Sequence, residues 1–144
     1  MGIIFQDTLV GLDCEQLSGG FFDGWPNPPS TSTFLKLLEQ SYAVELAVDE
    51  DTGRVVGFIQ AISDGVLSAY IPLLEVLPEY KNQLIGSRLV QRMLQRLEGL
   101  YMIDLLCDAE VQQFYEKHGM RRSTGMSIRR YSNQAGNISS RQSD

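Results

Sequence analysis

Apolar side chains along this chain follow two rhythms. In the middle, YAVELAV (42–48), RVVGFIQAI (54–62) and VLSAYIPLLEVL (66–77) are apolar at nearly every or every second position, which predicts three strands. The acidic, glycine-terminated DEDTG (49–53) and Asp64-Gly65 join them as hairpins. Pro72, with no N–H for a ladder, predicts an irregularity or a locally unpaired stretch in the third. Elsewhere the period is helical. Phe34, Leu35, Leu37 and Leu38 predict a helix over 31–41 with Ser30 or Thr31 available as its cap. Ile85, Leu89, Met93 and Leu97, joined by Val90 and Leu94, predict another over 84–98, with Arg88, Arg92 and Arg96 on a separate, mostly solvated face. LYMIDLLC (100–107) reads as a strand buried on both faces. Shorter signals predict a strand at 2–6, a weak helix at 12–20, a helix at 109–118 and a closing hairpin of 120–124 with 126–131. The order β-α-α-β-β-β-α-β-α-β-β describes an α/β (α+β) fold, a mixed sheet with helices on both faces.

Between the first two helices, residues 19–30 cannot form a regular element, because Pro26, Pro28 and Pro29 remove donors and fix φ. Its aromatics Phe21, Phe22 and Trp25 either pin the loop to the core or line a ligand site. Residues 132–144 are polar apart from Ile138 and Ala135 and predict a disordered tail after a single domain over 1–131.

Composition narrows the class. With 144 residues, 43% hydrophobic and 21% charged, the chain is sized for one globular domain. No apolar run approaches the roughly 18–20 residues of a membrane span, and MGIIFQDTLVG lacks the basic start of a signal peptide. Gln6 stands where myristoylation needs Ser or Thr. These features predict a cytoplasmic protein. Cys14 and Cys107 are 93 residues apart with no metal-ligand spacing around either, so neither a zinc site nor a disulfide is expected, and Cys107 reads as a buried small hydrophobe. The sequon at Asn137 then has no role. A net charge of −6 argues against a nucleic-acid partner. It divides unevenly: residues 1–80 hold 12 acids and 2 bases, residues 81–144 hold 6 acids and 10 bases. That asymmetry suits two ligands of opposite charge.

The stretch LLEVLPEYKNQLIGSRLV (73–90) carries the chemistry. A strand ends at Pro78, and a helix opens near Leu84-Ile85-Gly86 with unpaired N–H groups and a positive dipole end, the elements of a phosphate site. Lys81 and Arg88 flank it, and Gly86 permits close approach; an ordinary strand-to-helix connection uses the same residues. The stretch resembles the acetyl-CoA loop of the GNAT superfamily of N-acetyltransferases at Val76, Pro78, Lys81, Leu84 and Gly86. Lys81 replaces the usual Gln or Arg, and Leu84 replaces the middle glycine. A second block, FYEKHGM (114–120), is similar to the family's Phe-Tyr-x-Lys-x-Gly-Phe segment, with Asp108 for its Asn and Val111 for its Ala. About 22 residues separate Gly86 from Asp108, as the family order requires, and the resemblance spans roughly 42–131.

The resemblance implies a six- to seven-stranded, mostly antiparallel mixed sheet with a central splay. It implies acetyl transfer from acetyl-CoA, without a metal, to an amine in a ternary complex. CoA would be held by Val76, Lys81, Asn82, Leu84, Ile85, Gly86, Ser87, Arg88 and Asp108, with the Val76 N–H on the thioester carbonyl. Tyr115 would be the acid, or pack on the pantetheine arm. Glu75 is the candidate base acting through water, against a plain solvated or salt-bridged strand end. Tyr70 stands where some members place a base. The acceptor, a cationic small molecule or protein amine, would meet Phe22, Asp23, Trp25, Asp64 and Tyr70. His118, at a helix C-terminus, reads as a capping cation rather than a catalyst. The final strands of such folds often build homodimers. The alternative is a non-catalytic acyl-CoA-binding or regulatory module on the same fold.

Overall fold

A computed structural model describes residues 2–136. The chain runs β1 (Ile3–Gln6), α1 (Cys14–Leu17), α2 (Thr31–Glu39), β2 (Ala43–Asp49), β3 (Val55–Ser63), β4 (Ser68–Val76), α3 (Ile85–Arg96), β5 (Met102–Asp104) and α4 (Gln112–Glu116). The strands form one sheet in the order β1-β2-β3-β4-β5, antiparallel except for the β4–β5 pair. The fold is therefore mixed α+β, but the described residues contain five strands rather than six or seven. No helix among them is long and apolar enough to cross a membrane.

Two cores lie on opposite faces of the sheet. On one, Leu17, Phe22, Phe34 and Leu38 from α1, α2 and their loop pack against Val44, Leu46, Val48, Val55 and Phe58. On the other, Ile85, Leu89, Val90, Met93 and Leu97 of α3 pack against Ala43, Ala47, Val56, Ile59 and Ile71. Period-2 strands turn alternate side chains to the two faces, so β2 and β3, covered on both, read as nearly continuous apolar runs. Ser30 rather than Thr31 caps α2, accepting from the Thr33 N–H. Of the weak helix expected over 12–20, only one turn forms, closed by a capping box between Asp13 and Gln16.

The arginine stripe of α3 is exposed at Arg88 and Arg96, yet two of its members also reach inward to a buried acid. Glu45, alone among apolar neighbours on β2, is 1% exposed. Its carboxylate accepts from Arg92 Nε at 2.6 Å and Arg96 Nη1 at 3.0 Å, and Arg96 Nη1 also donates to the Val44 carbonyl at 2.7 Å. At the other end of α3, Gly57 of β3 lets the helix press close. A Cβ there would sit 3.2 Å from Leu89 Cδ1 and 3.3 Å from Ile85 Cγ2. Pro72 does mark an irregularity: Ile71 and Pro72 together face Ala61, between the pairs Gln60↔Leu73 and Ile62↔Tyr70.

The C-terminal third departs most from expectation. The strand predicted over 100–107 shrinks to three residues at the sheet edge, with Met102 and Leu106 exposed, because no strand lies beyond it among the described residues. The helix predicted over 109–118 becomes a 3-10 turn at Ala109–Val111 followed by α4. The hairpin of 120–124 and 126–131 does not form. Gly125 alone cannot make a two-residue turn, no residue from 120 to 130 takes a positive φ, and pairing across it would set Arg121 and Arg122 against Arg129 and Arg130. At the start of the 132–144 tail expected to be disordered, a 3-10 turn spans Tyr131–Asn133, and Gln134 Oε1 and the Tyr131 carbonyl accept from Asn27. Residues 137–144, with the sequon at Asn137, lie outside the described residues.

Two substitutions test this reading. Glu45→Gln keeps the shape but removes the charge clasping α3; with both arginines about a third exposed, it should cost about 2 kcal/mol, read as a lower urea midpoint. An unchanged midpoint would show that the clasp has no net value. Leu84 is 79% exposed at φ +64, so Leu84→Gly removes a left-handed strain at no packing cost and should raise stability by about 1 kcal/mol. Destabilisation would mean that the leucine side chain supports the loop.

Candidate active site

The site grows from a parting of two strands. β5 pairs with β4 only at Ser68↔Met102, Ala69↔Ile103 and Tyr70↔Asp104, while β4 continues to Val76 with no strand on that side. The expected central splay is thus present. Leu77 N–H donates to the Val56 carbonyl, on the β3 side. Since backbone groups alternate along a strand, the Val76 N–H points the other way, into the opening.

α3 begins beside this strand end. Its first residues have no side-chain cap, and the first intrahelical bond runs from the Arg88 N–H to the Leu84 carbonyl, leaving the N–H groups of Ile85, Gly86 and Ser87 free for an anion. The chain reaches the helix through Asn82 and Leu84, both left-handed at φ +67 and +64. Asn tolerates this; Leu does so at a steric cost, where the resembled motif carries glycine. Lys81, Asn82 and Leu84 are exposed and Ser87 is half-exposed, but the Ile85 side chain is core, so only its backbone can meet a ligand. Gly86 faces the next element: a Cβ there would stand 3.7 Å from Phe114 Cζ and 3.9 Å from Val76 Cγ2. Arg88 points elsewhere, its guanidinium over the Phe5 ring at 5.9 Å. The preceding 3-10 turn, Pro78–Tyr80, is fixed by the Tyr80 hydroxyl, which donates to Asp49 Oδ2 at 2.7 Å.

Glu75 sits at the β4 end, partly buried, and its Oε1 accepts from the Phe22 N–H at 3.0 Å. Burial pushes its carboxyl above the ordinary range; the Phe22 bond and the Lys81 charge oppose that shift, and Asp23 reinforces it. Phe22 reaches this bond through a left-handed backbone, φ +61, while its ring is buried against Phe34 at 4.9 Å and Trp25 at 4.8 Å. The loop aromatics therefore pin the loop: Phe21 and Phe22 belong to the core, and Trp25, half-exposed, reaches its rim. Nothing in the sequence pattern reveals this backbone donor.

Tyr115 of α4 is held between β5 and the core, and burial, with a smaller effect of Cys107, pushes its phenol up to about 12. Burial lowers the pKa of His118, which disfavours the charged form expected of a capping cation, and its ring stacks edge-on to Phe114 at 5.2 Å. Asp108 is exposed at the start of the Ala109–Val111 turn. Tyr70 lies beside β5 and lines a groove with Tyr115. Asp64 falls outside the constellation. Its Oδ1 accepts from the N–H groups of Val66, Leu67 and Ser68, which hold its pKa low, and β4 carries Glu75 ~23 Å away. Cys14 and Cys107 are free thiols, and Cys107 is half-exposed rather than buried.

Residues 13–120 match the model of the acetyltransferase (GNAT) family. A candidate acetyltransferase from Deinococcus radiodurans R1 has a similar structure, with 49% identity, 92% of each chain covered and a TM-score of 0.88. A GNAT-family acetyltransferase from Streptococcus pneumoniae TIGR4 is 27% identical over 90% of this chain and 98% of its own, with a TM-score of 0.73. A curated relative, the GCN5-related N-acetyltransferase 1, chloroplastic, of Arabidopsis thaliana, is 29% identical over 121 residues, 82% of this chain; the match spans 61% of that protein's length. With both expected motifs set around one splayed strand pair, the chain belongs to the acetyltransferase (GNAT) family.

Proposed function

We propose that the protein transfers an acetyl group from acetyl-CoA to a cationic amine, on a small molecule or a protein, by direct attack in a ternary complex. One observation carries the reading: the β4 end, with Glu75 and the inward Val76 N–H, opens beside the uncapped start of α3. The fit to acetyl-CoA is chemical. The free N–H groups of residues 85–87 and the Lys81 ammonium would hold the pyrophosphate, with Asp108 at the far side of the opening. Acetyl-CoA supplies the thioester carbon that is attacked.

The chain's residues then have separate tasks. Glu75 takes the proton that the acceptor ammonium must lose, directly or through one water. Its raised pKa brings it nearer to a working base. As the C–N bond forms and the C–S bond breaks, the Val76 N–H donates to the carbonyl oxygen gaining charge. Tyr115, near 12, stays protonated at all working pH. Giving its proton outright to a thiolate of ordinary pKa ~8.5 would be uphill by about 5 kcal/mol, so it acts as a hydrogen-bond donor to the departing sulfur. Asp23 beside Glu75 and the acidic first 80 residues favour a positively charged acceptor at the rim formed with Trp25. Two free thiols support a reducing compartment, and we assign the protein to the cytoplasm. The second reading, acyl-CoA binding without turnover, draws support from Leu84, whose exposed side chain stands at the left-handed position of the loop.

Calorimetric titration with acetyl-CoA, followed by thiol release over a panel of polyamines, aminoglycosides, amino acids and peptides, separates the two. Saturable binding with turnover of cationic acceptors supports the transferase; binding without turnover supports the second reading; no binding at millimolar acetyl-CoA overturns both. Tyr115→Phe should lower kcat by roughly 10²-fold, and an unchanged kcat removes the phenol from the reaction. A base works deprotonated, so the rate should be low at acid pH and rise through a pKa above the ordinary carboxylate value. Glu75→Gln should flatten that limb while lowering the rate about 10²-fold. A limb that survives the substitution assigns it to another group.

A further inference from the structure

The loop before α2 is held at two points, and the charges at those points are opposite. Near its start, the Phe22 N–H donates to Glu75 at 3.0 Å, with Asp23 next in the chain. Near its end, Asn27 is held by the C-terminal segment: its N–H donates to Gln134 Oε1 at 2.8 Å and its Nδ2 to the Tyr131 carbonyl at 3.0 Å. These bonds bring Arg129 and Arg130 to the loop. Residues 119–126 lie beside Leu94 and Leu105 of the α3 core, and a Cβ on Gly125 would stand 3.0 Å from Leu106 Cδ2. Asn27 belongs to the loop that packs on the opposite face, so residues 126–130 cross between the faces and end on the side to which Glu75 turns. The two held points are close. The Trp25 N–H donates to the Phe22 carbonyl at 3.1 Å, closing a turn. Such a turn keeps its ends within about 7 Å, and two further residues to Asn27 add at most ~7 Å. Trp25, half-exposed, stands between them.

Residues 121–130 carry four arginines and no acid. Arg122 is paired with Glu116, whereas Arg129 and Arg130 are exposed and form no ion pair with a described residue. Two unpaired guanidinium groups thus stand within a small molecule's length of a carboxylate that has one oxygen bonded to a main-chain amide. We propose that the acceptor carries an anionic group, a carboxylate or a phosphate, besides the ammonium that is acetylated: the ammonium meets Glu75 and Asp23, and Arg129 and Arg130 hold the anion at the Asn27 end of the loop. Paired guanidinium N–H groups match the oxygens of either anion. The inference rests on the proposed acetyl transfer and narrows its acceptor from any cationic amine to a dipolar one. The acidic first 80 residues alone would favour a polycation, but the arginines repel a second positive group at that end.

Matched acceptors that share one amine test it, with thiol release measured on the full chain. One pair is an amino acid and its amide; another is an aminoalkyl phosphate and its parent amino alcohol, each over a series of chain lengths. At least one anionic member should exceed its neutral partner in kcat/KM by about 10-fold or more, and the pair that does so names the anion. Replacing both arginines (Arg129→Ala with Arg130→Ala) should bring that ratio close to one through KM rather than kcat, and lysine at both positions should keep part of it. Arg130→Glu should turn the preference toward a diamine. Neutral or polycationic acceptors preferred in every series overturn the dipolar acceptor and leave acetyl transfer standing. So does a ratio that the double alanine variant does not move. No thiol release with any amine overturns acetyl transfer, and the dipolar acceptor with it. Should a variant fail to fold, the wild-type ratio and its fall from low to high salt decide alone.

Discussion

Everything at the reactive end depends on how α3 lies across the sheet. Two contacts fix it. Near its C-terminus, Arg92 and Arg96 close on the buried carboxylate of Glu45. Near its N-terminus, Gly57 removes the one side chain that would hold the helix away from β3 and β4. A helix pinned at both ends cannot rotate or slide, and its first free N–H groups then stand at a set height above the β4 end. The buried ion pair is a poor source of stability for its size, since both partners surrender water. Its value here is positional.

The opening between β4 and β5 is the second constraint, and it follows from where pairing stops. A continuous ladder would consume the Val76 N–H and leave no room for a ligand. Ending β5 at Asp104 leaves that donor pointing into the opening, and the Ile71-Pro72 bulge adds a bend in β4 before it. Glu75, whose register partner Phe58 belongs to the core under α2, is joined to the loop before α2 through a main-chain amide. Glu75 and that loop are therefore one mechanical unit, fastened by the core-packed rings of Phe21 and Phe22 rather than by polar side chains.

Much of this was legible in the residues. β2, β3, β4 and α3 carry long periodic signals, and Lys81, Gly86 and the FYEKHGM segment fall into the order that the family motif requires. What misled was instructive. Hydrophobicity over 100–107 reports that residues are apolar, not that a neighbouring strand exists to cover them, so a three-residue edge strand looked like a buried one. The alternation after residue 120 looked like a hairpin because pattern does not name a strand's partner. Glu45 was hidden as one acid in an apolar run, which made Arg92 and Arg96 look solvated. Asp64 was legible as a turn and as an acid, but the turn's amides occupy the carboxylate. Backbone donors such as the Phe22 N–H leave no trace in side-chain identity.

The bonds from Asn27 to Tyr131 and Gln134 close a span of more than a hundred residues. Contacts of such separation form late, because the loop-closure entropy between them must first be met by everything that lies within. During synthesis the chain emerges from its N-terminus, and β1 to β4 are complete before residue 131 leaves the ribosome. The loop before α2 is thus the last part to be tied down. A nascent chain would own β1 to β4 well before it could order the loop that Glu75 holds, and a ribosome stalled before residue 131 would carry a folded sheet with that loop still untied.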